Sequence, residues 1–258
     1  MFGFLRDRRR ERLRAEPFPA EWREILERGF PLYGRLPAED RRELEGHVRV
    51  FVEEKSFEGA GGLEMTDEVR VTVAAQACVL LLHRDTDYYP RMRSVVVYPA
   101  AYVAEHRSAE GGVVTEGVEA RLGESWSSGA VVLSWGDVRA GARDLRDGHN
   151  VVFHEFAHQL DLEGGGVDGV PELEGASAYR AWARVFAAEY LELRRDAAQG
   201  RRSVLDDYGA TDPAEFFAVA TEAFFEKPLA LRRKHPELYA ELASYYLQDP
   251  AGAAGPPG

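Results

Sequence analysis

Residues 151–161 read VVFHEFAHQLD, a segment whose two histidines and one glutamate indicate both the local structure and the chemistry of the protein. On an α-helix, His154 and His158 lie one turn apart on the same face, so their imidazole nitrogens can bind one metal ion. Glu155 lies beside them, where a carboxylate can act as general base toward a water molecule. The competing interpretation is a pair of surface histidines, but apolar residues fill the flanking positions. We therefore expect a buried helix that carries a zinc site.

The motif alone does not complete such a site. A catalytic zinc ion usually has three protein ligands and leaves its fourth position to water. The peptidase class with a third histidine six residues after His158 is excluded, because position 164 is glycine. The remaining common solution is a glutamate on a later helix. Glu215 and Glu222 are both candidates, since they lie seven residues apart on one face of the helix that follows Thr211.

Each of these two glutamates also has a purely structural interpretation. With Asp212 as N-cap and Pro213 at the first helical position, Glu215 falls at the third, where a capping box places a glutamate. Glu222 is expected to be either a partner of a metal ligand or an exposed residue. The spacing favours Glu215 only slightly, because a ligand at a helix start can reach across a cleft.

Further polar residues are candidates for supporting roles. Tyr208 precedes that helix, and its phenol can donate a hydrogen bond to the oxyanion of a tetrahedral intermediate, unless it is an ordinary half-buried tyrosine. Asp161 either accepts a hydrogen bond from a ligand histidine or is exposed. The histidines expected at the surface are His47, His83, His106 and His235.

The flanking sequence predicts helices on both sides of a short β region. Helices are expected at 17–28, 37–54, 66–82, 176–195, 213–226 and 236–247. Strands are expected at 94–98 (SVVVY) and 130–135 (AVVLSW), where apolar runs end at proline or glycine. We expect strand 130–135 to lie at a sheet edge and to pair with an extended substrate backbone.

The composition restricts the partners and the compartment. A formal net charge of -12 opposes binding to a phosphate backbone, so no nucleic-acid partner is expected. No apolar run is long enough to span a bilayer, and the single cysteine, Cys78, fits a reducing compartment. We therefore expect a cytoplasmic protein without a membrane partner. Residues 1–16, rich in arginine, and 250–258 are expected to be flexible ends of one catalytic domain, 17–249.

Several segments together resemble the Mlc titration factor A family of bacterial zinc-dependent peptidases. They run in order from about Phe51 to Asp249 and read FEGAGGLEMTDE, AAQACVLLL, VVVYP, GESWSSGAVVLSWGDV, NVVFHEFAHQLD and YGATDPAEFFAVATEAFF. The resemblance implies that Glu215 is the third zinc ligand and that Tyr208 is the family's tyrosine. It also implies similarity to the peptidase domain of anthrax lethal factor. The expected fold is therefore α+β, a mainly helical zincin-like metallopeptidase with a small mixed sheet packed on the motif helix.

These observations predict a zinc-dependent peptidase acting on a peptide or protein substrate. Zinc would lower the pKa of water to about 7, and Glu155 would take the proton as that water attacks the peptide carbonyl. The resemblance also implies a rival hypothesis, a regulatory protein that sequesters a Mlc-like transcriptional repressor, with zinc structural or regulatory. A closed structural site supplies four protein ligands, whereas the sequence offers three, so the peptidase hypothesis is preferred.

Overall fold

The computed structural model describes the backbone of part of the chain, residues 2–100, 102–104, 119–121, 123–126 and 129–253, and the side chains of residues 4–100 and 129–253. His106 and residues 254–258 of the expected flexible tail lie outside these ranges. Within the described ranges, no helix is both long and apolar enough to cross a membrane.

Helices make up most of the described chain, and several of them begin at a side-chain cap. Thr66, Asn150 and Asp212 each accept a hydrogen bond from the first turn of the helix that follows. The helices are α1 (Phe2–Ala15), α2 (Ala20–Gly29), α3 (Pro31–Arg35), α4 (Ala38–Glu54), α5 (Asp67–Val79), α6 (Trp135–Arg143), α7 (Val151–Glu163), α8 (Gly175–Ala198), α9 (Pro213–Glu226), α10 (Pro228–Lys234), α11 (Pro236–Tyr246) and α12 (Pro250–Ala253). A 3₁₀ turn, Asp207–Ala210, precedes α9.

Short strands form one mixed sheet and one separate pair. They are β1 (Ser56–Gly59), β2 (Ser94–Tyr98), β3 (Tyr102–Ala104), β4 (Glu119–Arg121), β5 (Gly123–Trp126) and β6 (Ala130–Ser134). The mixed sheet has the order β1-β2-β6-β5, in which β1, β2 and β6 are parallel and β5 is antiparallel to β6. β3 and β4 form the antiparallel pair. The expectation of a mainly helical α+β fold with a small mixed sheet is confirmed.

The motif helix α7 lies in the core, where it contacts α5, α6, α9, β5 and β6. Phe153 and Phe156 on this helix are fully buried. The ring of Phe156 packs against Tyr89, 4.8 Å between centroids, and against Phe51, at 5.7 Å. Burying a side chain of this size contributes about 1.5–3 kcal/mol. This packing fixes the rotation of α7 about its axis and therefore the direction of its polar face.

The prediction that strand 130–135 lies at a sheet edge is wrong. β6 pairs with β2 on one side and with β5 on the other. The strand also ends one residue earlier, because the Ser134 side chain accepts a hydrogen bond from Asp137 N–H and begins α6 at Trp135. An apolar run looks the same in a central strand and in an edge strand covered on both faces, so the sequence does not distinguish them. Within the described part of the sheet, the outer strands are β1 and β5.

The prediction of a flexible segment at residues 1–16 is also wrong. Residues from Phe2 onward form α1, which packs on α4. Arg10 is buried, and its guanidinium donates two hydrogen bonds to Glu54 and two to Asp87, one of them to the Asp87 backbone carbonyl. A run of arginines is usually solvated, so its pattern does not reveal that one of them is an internal anchor.

The expected flexible tail at 250–258 begins with ordered structure. Residues 250–253 form the short helix α12, in which Ala251 is buried. The backbone N–H of Ala251 donates to the Tyr239 hydroxyl at 2.9 Å, which ties this turn to α11. The described part of the tail is therefore packed on the domain.

Candidate metal centre

The start of α7 is fixed by its cap, and this places the two motif histidines. The Asn150 side-chain oxygen accepts hydrogen bonds from Val152 N–H at 3.1 Å and Phe153 N–H at 3.0 Å. One turn further, the Nε2 atoms of His154 and His158 are 3.3 Å apart. Both rings direct Nε2 toward the same point, so the two histidines are placed to bind one metal ion.

A carboxylate from α9 completes the cluster. The Asp212 side chain caps α9 through the N–H groups of Ala214 and Glu215, which presents the Glu215 side chain from the first turn. Its Oε2 atom lies 2.9 Å from His154 Nε2 and 3.5 Å from His158 Nε2. Among the residues with described side chains, these three form the one group of at least three metal-ligating residues with converging ligand atoms, all within 4.8 Å of one another.

This donor set fits zinc. Bonds of about 2.0–2.1 Å to a tetrahedral zinc ion place neighbouring ligand atoms about 3.3 Å apart, and the separations of 2.9, 3.3 and 3.5 Å are close to that value. Two imidazoles and one carboxylate also match the ligand types of a catalytic zinc site that keeps its fourth position for water. Three residues from two helices can therefore hold a metal ion.

The histidines and carboxylates of the cluster shift one another's pKa values. Burial alone would lower the pKa of His154, but hydrogen bonds with the Glu215 and Glu222 carboxylates outweigh burial and raise the pKa to about 10. For Glu215, burial acts to raise the pKa, but hydrogen bonds with His154 and His158 hold it well below its usual range. Glu215 is therefore an ionised carboxylate, and His154 would have to release a proton to bind a metal ion.

The other two predicted site residues lie beside this cluster. Glu155 is buried on α7, and its charge helps to raise the pKa of His154. Tyr208 lies in the 3₁₀ turn, held by its backbone N–H, which donates to the Asp206 side chain at 2.8 Å. The Tyr208 ring centroid is 6.0 Å from that of His154, and the residue is 54% exposed. The phenol therefore lies at the opening of the site, where it can reach a molecule that enters.

Glu222 is a partner of His154 and is not exposed. Its side chain is buried on α9, with Oε1 2.8 Å from His154 Nδ1 and Oε2 accepting a hydrogen bond from Asn150 N–H at 2.5 Å. It therefore contacts the side of the imidazole that faces away from Glu215. From the sequence alone, Glu222 could be either a partner of a metal ligand or an exposed residue, because the sequence does not show which face of α9 is covered.

Asp161 matches neither of the two roles considered for it. It is fully buried, and its Oδ2 atom accepts a hydrogen bond from Gly169 N–H at 2.8 Å. Gly169 has a φ of 78° and its backbone lies against Pro213, where a Cβ would come within 2.3 Å of the Pro213 carbonyl oxygen. Asp161 thus holds the loop after α7 close to the start of α9.

Two histidines predicted at the surface are buried or half-buried. His47 is buried and its Nδ1 atom lies 2.7 Å from the Tyr88 hydroxyl, whereas His235 is half-buried and pairs with Glu189 at 2.7 Å. Gln76, whose amide is buried beside Asn150, was not predicted as part of the site. A polar residue within the otherwise apolar run of α5 was the available signal.

Three known proteins are similar to this chain over most of its length. The uncharacterized protein slr2042 of Synechocystis sp. is 42% identical over 246 residues, which cover 95% of this chain and 90% of that protein. Mlc titration factor A of Serratia proteamaculans is 31% identical over 90% of this chain and 88% of its own length. The protein of the same name from Yersinia enterocolitica is 29% identical over 90% of this chain and 86% of its own.

A protein-family model also matches nearly the whole chain. The model described as glucose-regulated metallo-peptidase M90 matches residues 5–247, from the second turn of α1 to the end of α11. The resemblance to the Mlc titration factor A family is confirmed. The match includes the three converging ligand residues and implies a metal ion and a peptide or protein substrate. The chain belongs to the glucose-regulated metallo-peptidase M90 family.

Proposed function

We propose that the protein is a zinc-dependent peptidase in which His154, His158 and Glu215 hold the ion. The observation that carries the proposal is the convergence of these three ligand atoms, from two helices, within 4.8 Å. The proposed catalytic domain is the single unit 17–249. We place it in the cytoplasm, where a free thiol such as that of the buried Cys78 stays reduced.

The proposed mechanism is hydrolysis by water. When bound, zinc would supply Lewis acidity, lowering the pKa of water to about 7 and polarising the substrate carbonyl. Glu155 takes the proton of the attacking water and returns it to the leaving amine. Its buried position beside His154 supports this role, because it places the carboxylate next to the converging ligand atoms. Tyr208 donates a hydrogen bond to the oxyanion from the opening of the site.

The substrate backbone is proposed to bind along β5. This strand is an outer strand of the described mixed sheet, runs antiparallel to β6 and contacts α7. An extended peptide can add to such an edge through main-chain hydrogen bonds. The proposal replaces β6, whose two edges are both paired.

The test separates metal binding from chemistry. Metal content is measured by elemental analysis for the wild type and Glu215→Ala, and peptide hydrolysis for the wild type and Glu155→Ala. We expect Glu215→Ala to lose zinc, and Glu155→Ala to keep zinc but lose activity about 10²–10⁴-fold. Glu27→Ala, an exposed position of α2, is the control and should behave as wild type. A zinc content in Glu215→Ala equal to that of the wild type, or wild-type peptide hydrolysis by Glu155→Ala, would contradict the proposal.

A second candidate function comes from the names of the relatives, which are titration factors of Mlc. In this alternative the protein sequesters a Mlc-like transcriptional repressor, and its metal is structural or regulatory. Glu155→Ala distinguishes the two functions, since it should lose hydrolysis and keep repressor binding. If repressor binding is intact while the wild type hydrolyses no peptide, the alternative replaces the peptidase.

A further inference from the structure

One buried carboxylate joins a ligand histidine to the start of the motif helix. Glu222 lies near the middle of α9 and is 6% exposed. One of its oxygens is 2.8 Å from His154 Nδ1, and the other accepts a hydrogen bond from Asn150 N–H at 2.5 Å. The two contacts together use both carboxylate oxygens, so the side chain is fixed at two points.

The contact with His154 determines which ring nitrogen is available to a metal. A carboxylate oxygen accepts a hydrogen bond from a ring N–H, so the nitrogen that faces Glu222, Nδ1, is the one that carries the proton of a metal-bound ring. The lone pair of a metal-bound ring is then on Nε2, the atom that faces Glu215 and His158. Glu222 therefore lies on the opposite side of the His154 ring from the converging ligand atoms, and it affects metal binding only through that ring.

The contact with Asn150 extends the constraint to three helices. While its backbone donates to Glu222, the Asn150 side chain caps α7 and also donates to the Gln76 side chain of α5 at 3.0 Å. Gly141 of α6 allows this approach, since a Cβ there would come within 3.0 Å of Asn150. The start of α7 is therefore held by α5, α6 and α9, and the His154 ring is held by the same carboxylate.

We propose that Glu222 is a positioning residue, which sets the tautomer and the rotation of His154 and couples both to the capped start of α7. The inference rests on the proposed function for its metal ion. Glu222 is neither a metal ligand nor a proton-transfer group. The affinity of the site for its metal ion therefore depends on a residue that does not touch the metal.

The experiment titrates the metal-free full-length protein with Zn²⁺ in competition with a chromophoric chelator. Variants are Glu222→Ala, Glu222→Gln and, as matched control, Glu189→Gln, a half-buried glutamate of α8 that pairs with His235 at 2.7 Å and not with His154. We expect Glu222→Ala to weaken zinc binding about 10–100-fold. Glu222→Gln keeps an acceptor oxygen of the same shape and should weaken binding by less than tenfold but measurably. Glu189→Gln should bind as wild type.

Nitrogen-15 NMR of the zinc-loaded histidine side chains provides a second readout. The wild type and Glu189→Gln should show an exchange-protected proton on His154 Nδ1, and Glu222→Ala should lose that protection. If Glu222→Ala does not fold, Glu222→Gln decides the question. Glu222 variants that match Glu189→Gln in both zinc affinity and the His154 signal would overturn this inference and leave the peptidase standing. Zinc binding that follows the expected order without any peptide hydrolysis would overturn only the peptidase, and a wild type that binds no zinc would overturn both.

Discussion

At the scale of single residues, burial changes the chemistry of side chains that look alike in the sequence. Glu155, Glu215, Glu222 and Glu226 are all glutamates on α7 and α9. Glu215 is held ionised by two histidines, whereas burial raises the pKa of Glu226 to about 8, with a smaller opposing effect of a hydrogen bond with Asn150. Neighbouring charges and solvent exposure, which only the fold defines, produce this difference.

Tyr208→Phe tests the proposed oxyanion contact. The ring stays near His154 but loses its hydroxyl, so we expect kcat for peptide hydrolysis to fall about 10²-fold with little change in KM. Zinc content should be unchanged, because Tyr208 is not among the converging ligand residues. A wild-type kcat in this variant would remove Tyr208 from the mechanism.

Glu226→Gln tests the penalty of burying a carboxylate. Since the folded-state pKa, about 8, lies above the usual value of 4.5, the folded protein binds more protons than the unfolded chain between these values. Glu226 therefore lowers stability progressively as the pH rises through this window, and the loss is complete above the folded pKa. The nearby charges of Asp147 and Glu222 act in the same direction.

We expect Glu226→Gln to be more stable than the wild type by about 1–3 kcal/mol at about pH 9 and by little at about pH 4. Urea unfolding across this range measures the difference, with the exposed Glu27→Gln as control. Parallel stability profiles for Glu226→Gln and the wild type would contradict the predicted pKa.

At the scale of elements, the cap of α9 is predicted to support both stability and metal binding. Asp212→Ala removes the acceptor for Ala214 N–H and Glu215 N–H, so we expect a loss of about 1 kcal/mol and weaker zinc binding. Thr66→Ala removes the cap of α5, remote in sequence from the ligands, and should cost similar stability without weakening zinc binding. Chemical unfolding and zinc titration of the two variants measure these effects. Equal zinc affinities of Asp212→Ala and Thr66→Ala would show that the cap of α9 is only structural.

The attachment of α1 depends on Arg10. Its guanidinium is buried against Glu54, and Arg10→Ala leaves that carboxylate without its main partner, so we expect a loss of about 1–3 kcal/mol. Arg9→Ala removes an exposed pair with Glu53 and should change stability by less than about 0.5 kcal/mol. Urea unfolding of the two variants gives the comparison, and equal effects would mean that α1 contributes little to the fold.

At the scale of the whole molecule, the metal site joins two helices that are far apart in the sequence. His154 and Glu215 are separated by 61 positions but lie 2.9 Å apart. An ion bound only to the folded state therefore stabilises the entire packing of α7 against α9. At a free zinc concentration of about 100 times Kd, we expect a gain of about 2.7 kcal/mol. Thermal unfolding with and without zinc measures it, and Glu215→Ala should show no comparable gain.

Much of the fold follows from local signals. The strand at 94–98 and the helix at 213–226 were predicted with the observed bounds, and the motif was predicted to lie on a buried helix. These elements have strong periodicity, β-branched runs or capping residues, all of which act within a few positions. Short elements such as β1, α6 and α10 were missed, because they form only where neighbours cover them.

The sequence by itself determined the convergent pair of histidines, since helical periodicity fixes their shared face without reference to any other part of the chain. It also restricted the third ligand to two glutamates on one later helix. The resemblance to a known family implied Glu215, and the tertiary structure distinguishes the two by position, with Glu215 on the Nε2 side of His154 and Glu222 on the Nδ1 side. The tertiary structure likewise placed β6 inside the sheet and Arg10 inside the molecule. The physical reason is that local backbone geometry sets the face of a helix, whereas long-range packing decides what covers that face.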